Sequence, residues 1–217
     1  MTDIAVGGTD LARRLSAACL VAGPLLYLIS TLTWQDDGIY GVTGGTVLVA
    51  AMTCWLFGLT AVYDDVGHHY PRFAAVAKLV LLAGVIGGVS FAVRGFYDGA
   101  LELSREESIT VLEAHPVASA TMFFLPGPLF PLSLIIIGIA VLRARLVHPA
   151  LGAALSATGV IFPATTILRV QAGATGLSVV MIIVFALLAH AHVKGGVARG
   201  SRAQADADRV SERLSGN

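Results

Sequence analysis

Residues Phe73 to Phe96 read FAAVAKLVLLAGVIGGVSFAVRGF, and between Lys78 and Arg94 this stretch holds no charged side chain. A helix rises about 1.5 Å per residue, so the segment reaches roughly 36 Å, enough to cross the ~30 Å hydrocarbon core of a bilayer. Lys78 and Arg94 stand near its two ends, where long side chains snorkel to the head groups. The segment reads as a transmembrane helix.

Outward from it, five more windows follow the same pattern, at 15–34, 45–63, 116–142, 150–167 and 177–193. The window at 150–167 is the weakest, being short and rich in Gly, Ala and Thr, and a five-helix or re-entrant reading stays open there. Composition agrees with a membrane protein: 56% of the 217 residues are hydrophobic and 13% charged, where soluble domains carry roughly 25% charge. Too few polar side chains remain to coat a soluble surface. No basic patch survives outside the apolar windows, which argues against a nucleic-acid partner. The expected organisation is all-α: a cytoplasmic N-terminal segment at 1–14, a polytopic bundle of six transmembrane helices at 15–193, and a flexible cytoplasmic tail at 194–217.

Charge sets the orientation, because cytoplasmic loops retain Lys and Arg. With six spans and the N-terminus inside, only Arg94, Arg105 and Arg169 of the 14 basic residues fall outside. Both termini are therefore expected on the cytoplasmic face of a bacterial inner membrane. Trp34 and Tyr40 at the outer end of the first span, and Tyr63 and Tyr70 at the inner end of the second, sit where aromatic side chains anchor helices at head-group depth. The external loop from Tyr97 to His115 is acidic and long enough for a short surface helix.

Proline marks the local irregularities. In the run Leu125-Pro126-Gly127-Pro128-Leu129-Phe130-Pro131 the missing N–H groups predict a bend or break in the fourth span at Pro126, Gly127, Pro128 and Pro131, and broken helices line substrate sites in transporters. Pro24 and Pro163 predict kinks in the first and fifth spans. Gly23-Pro24-Leu25 and Gly127-Pro128-Leu129 form a faint echo of the inverted-repeat kind. Gly84-xxx-Gly88 in the third span, with Gly152, Ser156 and Gly159 in the fifth, lets helix backbones approach closely. Internal packing explains that spacing; it is also compatible with a homo-oligomer or a larger membrane complex, which nothing in the sequence calls for.

Two groups of ionisable residues stand out. On the outer side, Arg94 and Asp98 close the third span, Glu113 and His115 open the fourth, and Arg169 ends the fifth, with Asp36 and Asp37 after the first. An ion-pair network is the plain reading, and a pocket for a polar or anionic head group the functional one. On the inner side, Asp64, Asp65, His68 and His69 are the residues to weigh as metal ligands, but their spacing matches no metal signature and no metal or cofactor is expected. Cys19 and Cys54 read as buried thiols whose depths differ by roughly 10 Å, too far for a disulfide. No hydrolase, metalloprotease, redox or phosphate-binding motif occurs, which leans away from an enzyme.

The arginine pair Arg13-Arg14 ahead of Gly23-Pro24-Leu25-Leu26-Tyr27-Leu28, and the passage Arg143-Ala144-Arg145-Leu146-Val147-His148-Pro149-Ala150-Leu151-Gly152, resemble small six-helix bacterial integral membrane proteins of the domain-of-unknown-function type. That resemblance implies the six-helix fold and brings no catalytic residues. The expected function is a non-enzymatic accessory protein or a binder of lipid or a small amphiphile, whose partner is the bilayer. A small transporter or channel comes next, and a membrane-embedded enzyme acting on a lipid last.

Overall fold

Long apolar segments without water to bond their peptide groups satisfy them internally as helix, and the computed structural model follows this throughout. It describes residues 3–34, 39–168 and 170–215, with side-chain surroundings for 10–34, 39–166 and 170–195. Among them lie α1 (Asp3–Leu32), α2 (Gly41–Gly67), α3 (Pro71–Ala100), α4 (Arg105–Ala114), α5 (Pro116–Ser119), α6 (Leu129–Arg143), α7 (Pro149–Leu168) and α8 (Gln171–Ser215), and no strand. α8 carries the expected sixth span and the tail after it on one continuous helix.

Among the described residues, five segments are long and apolar enough to cross a membrane: Asp10–Leu32, Gly41–Gly67, Pro71–Ala100, Pro116–Arg143 and Gln171–Gly195. The expected fifth window forms α7, yet α7 is not among them. The small residues Gly152, Ser156 and Gly159 of α7 serve packing. A methyl group on Gly159 would come within 2.6 Å of the Pro131 carbonyl oxygen, and one on Gly152 within 2.9 Å of the Gly138 carbonyl oxygen, so α6 and α7 touch backbone to backbone.

The helices pack in chain order around a closed circle: α1 on α2, α2 on α3, α3 on α6, α6 on α7, α7 on α8, and α8 back on α1. Apolar stripes at helical spacing face the middle. There Tyr27, Trp55, Phe130, Phe162 and Phe185, one from each of five helices, form a connected aromatic cluster with centroid distances from 4.9 to 6.2 Å. Tilted and edge contacts of this kind suit the ring quadrupoles. Outward-facing Val76, Leu79, Ile86, Val160 and Ile183 are exposed, as a lipid-facing surface requires.

The fourth span breaks where the prolines stand. α5 passes into a π turn at Ala120–Phe124, closed by Leu125 N–H donating to the Ala120 carbonyl at 2.8 Å. Residues 125–128 form a turn before α6 begins. Pro131 falls in the first turn of α6, where its missing N–H costs no helix bond. By contrast Pro24 and Pro163 lie inside continuous helices, so the Gly-Pro-Leu echo does not mark two equivalent breaks. The broken segment rests on α3: a methyl group on Gly87 would lie 2.6 Å from Gly127 N.

Candidate amphiphile cavity and polar clusters

Because the fourth span is broken, α5, the π turn and the start of α6 do not fill the space between α3 and α7. The result is a cavity of about 1140 Å³, larger than the ~300–1,000 Å³ of ordinary small-molecule sites. Its floor is the aromatic cluster, through Tyr27, Phe130 and Phe162. Its walls are apolar, with Met52, Phe91, Phe123 and Ile135 among them, and the turn at Gly127 and Pro128 forms one side. Charge appears only at the α4 end, where Arg94, Arg105 and Glu113 line the rim. The lining is therefore apolar apart from charge gathered at one end.

Local chemistry builds that end. Asp98 lies one helical turn beyond Arg94 on α3, and the guanidinium Nε stands 3.5 Å from the carboxylate. Ser108 on α4 bridges them: its hydroxyl donates to Asp98 at 2.8 Å and accepts from Arg94 Nε at 3.0 Å and Nη2 at 2.6 Å. One donor and two lone pairs are thereby all used, and α4 is pinned over the end of α3. Ser104 and Glu107 form a reciprocal capping box at the start of α4, which holds the Glu107 carboxyl below its usual range.

Of the outer residues singled out from the sequence, Arg94 and Asp98 pair, and Arg94 and Glu113 both line the rim. His115 stands exposed at the junction of α4 and α5, outside the cavity lining. Arg169, with Asp36 and Asp37, lies outside the described residues. Ser108 and Tyr27 were not singled out. Ser108 carries no signal in sequence, whereas Tyr27 falls on the inward stripe of α1 with Leu20 and Gly23.

The inner candidates do not form a metal site. His68 and His69 are exposed, Asp64 pairs with Lys78, and Asp65 turns into the protein. Among the described residues no three His, Cys, Asp or Glu side chains gather as metal ligands would. Asp65 instead meets residues from two other helices. His192 Nδ1 is 2.6 Å from Asp65 Oδ2, His192 Nε2 is 3.0 Å from Ser16 Oγ, and Arg13 reaches both the His192 carbonyl at 2.7 Å and Asp65 Oδ1 at 3.4 Å. Asp65, Ser16 and His192 are all buried.

Ser, His and Asp in this order reproduce the relay of serine hydrolases, but not its surroundings. Ser16 is 1% exposed and sits mid-helix, where the N–H groups after it are committed to α1 and none is left to hold an oxyanion. Its hydroxyl also lies 2.9 Å from the Arg13 carbonyl. A neutral imidazole donates to Asp65 and accepts from Ser16; a charged one donates to both, and Ser16 turns to the Arg13 carbonyl. Every group is satisfied either way, which describes a structural clip joining α1, α2 and α8.

Cys19 and Cys54 are both free and half-buried.

No family model, curated protein or solved structure matches this chain.

Proposed function

We propose that this chain is a six-span protein of a bacterial inner membrane, with both termini cytoplasmic, that binds a lipid or other small amphiphile without transforming it. The cavity carries this reading: an apolar, aromatic-floored shaft whose charged residues are confined to one rim. The place of α7 between α6 and α8 supports a sixth span, and the bias of Lys and Arg supports the orientation. Purification in mild detergent followed by native mass spectrometry tests the binding. The expected result is a lipid-sized adduct that is lost in Ile135→Trp, which places a large ring in the cavity wall. An adduct-free protein whose thermal stability ignores added lipid would overturn it. Reporter fusions after Val147 and at the C-terminus, both active only in the cytoplasm, test the topology.

Transport is the second reading, and the break at residues 125–128 beside the cavity supports it. The apolar walls disfavour a polar solute. Movement of a labelled amphiphile between the leaflets of protein-containing vesicles, and its absence from protein-free ones, would favour transport over binding alone.

A further inference from the structure

Buried hydroxyl and indole groups ordinarily find a hydrogen-bond partner, because an unsatisfied one forfeits water without replacement. Tyr63 obeys: its hydroxyl donates to the Ser133 carbonyl at 3.1 Å. Tyr27 does not. Its ring is 0% exposed and lines the cavity, yet its hydroxyl has no hydrogen-bond partner. Thr166 lies beside it, but the two hydroxyls are not aligned for a hydrogen bond, the threonine one being turned to the Phe162 carbonyl at 2.9 Å. Trp34 also lines the cavity, and its indole N–H is likewise buried and unpartnered. Tyr27 lies within α1 and Trp34 two residues beyond its end at Leu32, so the two donors stand at different depths. Trp34 is at the charged rim with Tyr40, and Tyr27 is on the aromatic floor.

We infer that the occupant of the cavity is an oxygenated amphiphile, with head-group oxygens at Trp34 and Arg105 and a second oxygen acceptor, such as a mid-chain carbonyl, that receives the Tyr27 hydroxyl proton. The inference rests on the amphiphile-binding reading and narrows it. A plain acyl chain would leave Tyr27 unsatisfied in an apolar shaft. A carbonyl at that depth satisfies it and keeps the rest of the chain against Phe130 and Phe162. Arg105 makes no ion pair among the described residues and faces the rim, where a carboxylate or phosphate head supplies its partner.

The test compares two probes, stearate and its mid-chain keto analogue, by titration against the full chain in detergent. Tighter binding of the keto probe to the native protein, by about tenfold, is expected. Tyr27→Phe, which keeps the ring, brings the keto probe down to the stearate level and leaves stearate unchanged. Equal affinities of the two probes for the native protein would overturn the inference while leaving amphiphile binding intact, since a trapped water then serves Tyr27 as well. Tyr27→Phe weakening both probes alike would overturn it too. If neither probe binds the native protein, the binding reading and this inference fall together.

Discussion

His192 Nδ1 and Asp65 Oδ2, 127 positions apart in the chain, lie 2.6 Å from each other. The bond fastens the end of the last membrane-length segment to the end of the second, and Arg13 fastens both to the first. Each partner neutralises or satisfies a group that would be costly to leave bare in an apolar bundle.

Breaking this clip from one side strands the others. Asp65→Ala leaves Arg13 and His192 facing each other without an acid and is expected to destabilise the protein by about 3 kcal/mol, at the low end of the cost of removing one partner from a buried pair because Arg13 keeps partial contact with solvent. Thermal unfolding in detergent, read as a drop of several degrees in Tm, measures it. His192→Ala added to Asp65→Ala should cost less than the two single changes together, since they share one network. Full additivity would show that the two side chains do not act on each other.

Packing makes an opposite pair of glycine predictions. A methyl group on Gly87 meets Gly127 N and the Pro126 carbonyl carbon at 2.6 Å, both backbone atoms that cannot rotate away, whereas around Gly176 nothing lies within 4 Å. Gly87→Ala is therefore expected to cost at least ~1–3 kcal/mol by forcing α3 from the broken segment. Gly176→Ala should be neutral or stabilise by up to about 1 kcal/mol through helix propensity. Paired Tm measurements decide the matter, and equal effects at the two sites would refute the close α3 contact.

How far the sequence carried the fold is clear from particular elements. Span lengths and the break at Pro126–Pro131 were legible because both are local: apolar length and missing N–H groups act within one segment. α7 was legible only as a weak window, since its Gly, Ser and Thr residues lower hydropathy while improving contact with α6. The clip itself was not legible, although Asp65 stood among the inner candidates, because its members are a serine at 16, an acid at 65 and a histidine at 192. Only helical phase betrays them: Ser16 continues the buried stripe of Leu20 and Gly23, Asp65 that of Val62 and Val66, and His192 that of Leu188 and Phe185. The broken segment and the rim charges Arg94 and Glu113 were legible, but not the size of the cavity between them, because it is space left where a broken helix fails to fill a circle of six.

At the rim, Ser108 holds Asp98 and Arg94 together. Ser108→Ala removes a hydroxyl that uses all three of its bonding positions and leaves the carboxylate and guanidinium only their direct 3.5 Å contact. The expected result is a loosened α4, seen as hydrogen exchange across residues 105–114 faster by about tenfold, while exchange in α2 and α8 is unchanged. Uniformly faster exchange would instead mean global destabilisation. Protection of α4 equal to that of the native protein would show that other contacts hold it in place.

The same helix responds to acid. The Glu107 carboxylate accepts from the Ser104 N–H and hydroxyl at 2.8 Å each, bonds that favour the charged form and hold the group below its ordinary range, backbone first. A lowered value in the folded helix means that the cap contributes its stability above the ordinary carboxylate range and loses it as pH falls through the lowered value. Acid should therefore fray the start of α4, read from backbone NMR shifts at residues 104–107. Glu107→Gln keeps a side-chain acceptor at the same place in the capping box but does not titrate, so its α4 should show a flat pH profile at those positions. An acid response of equal size in the native protein and the variant would place the titrating group elsewhere.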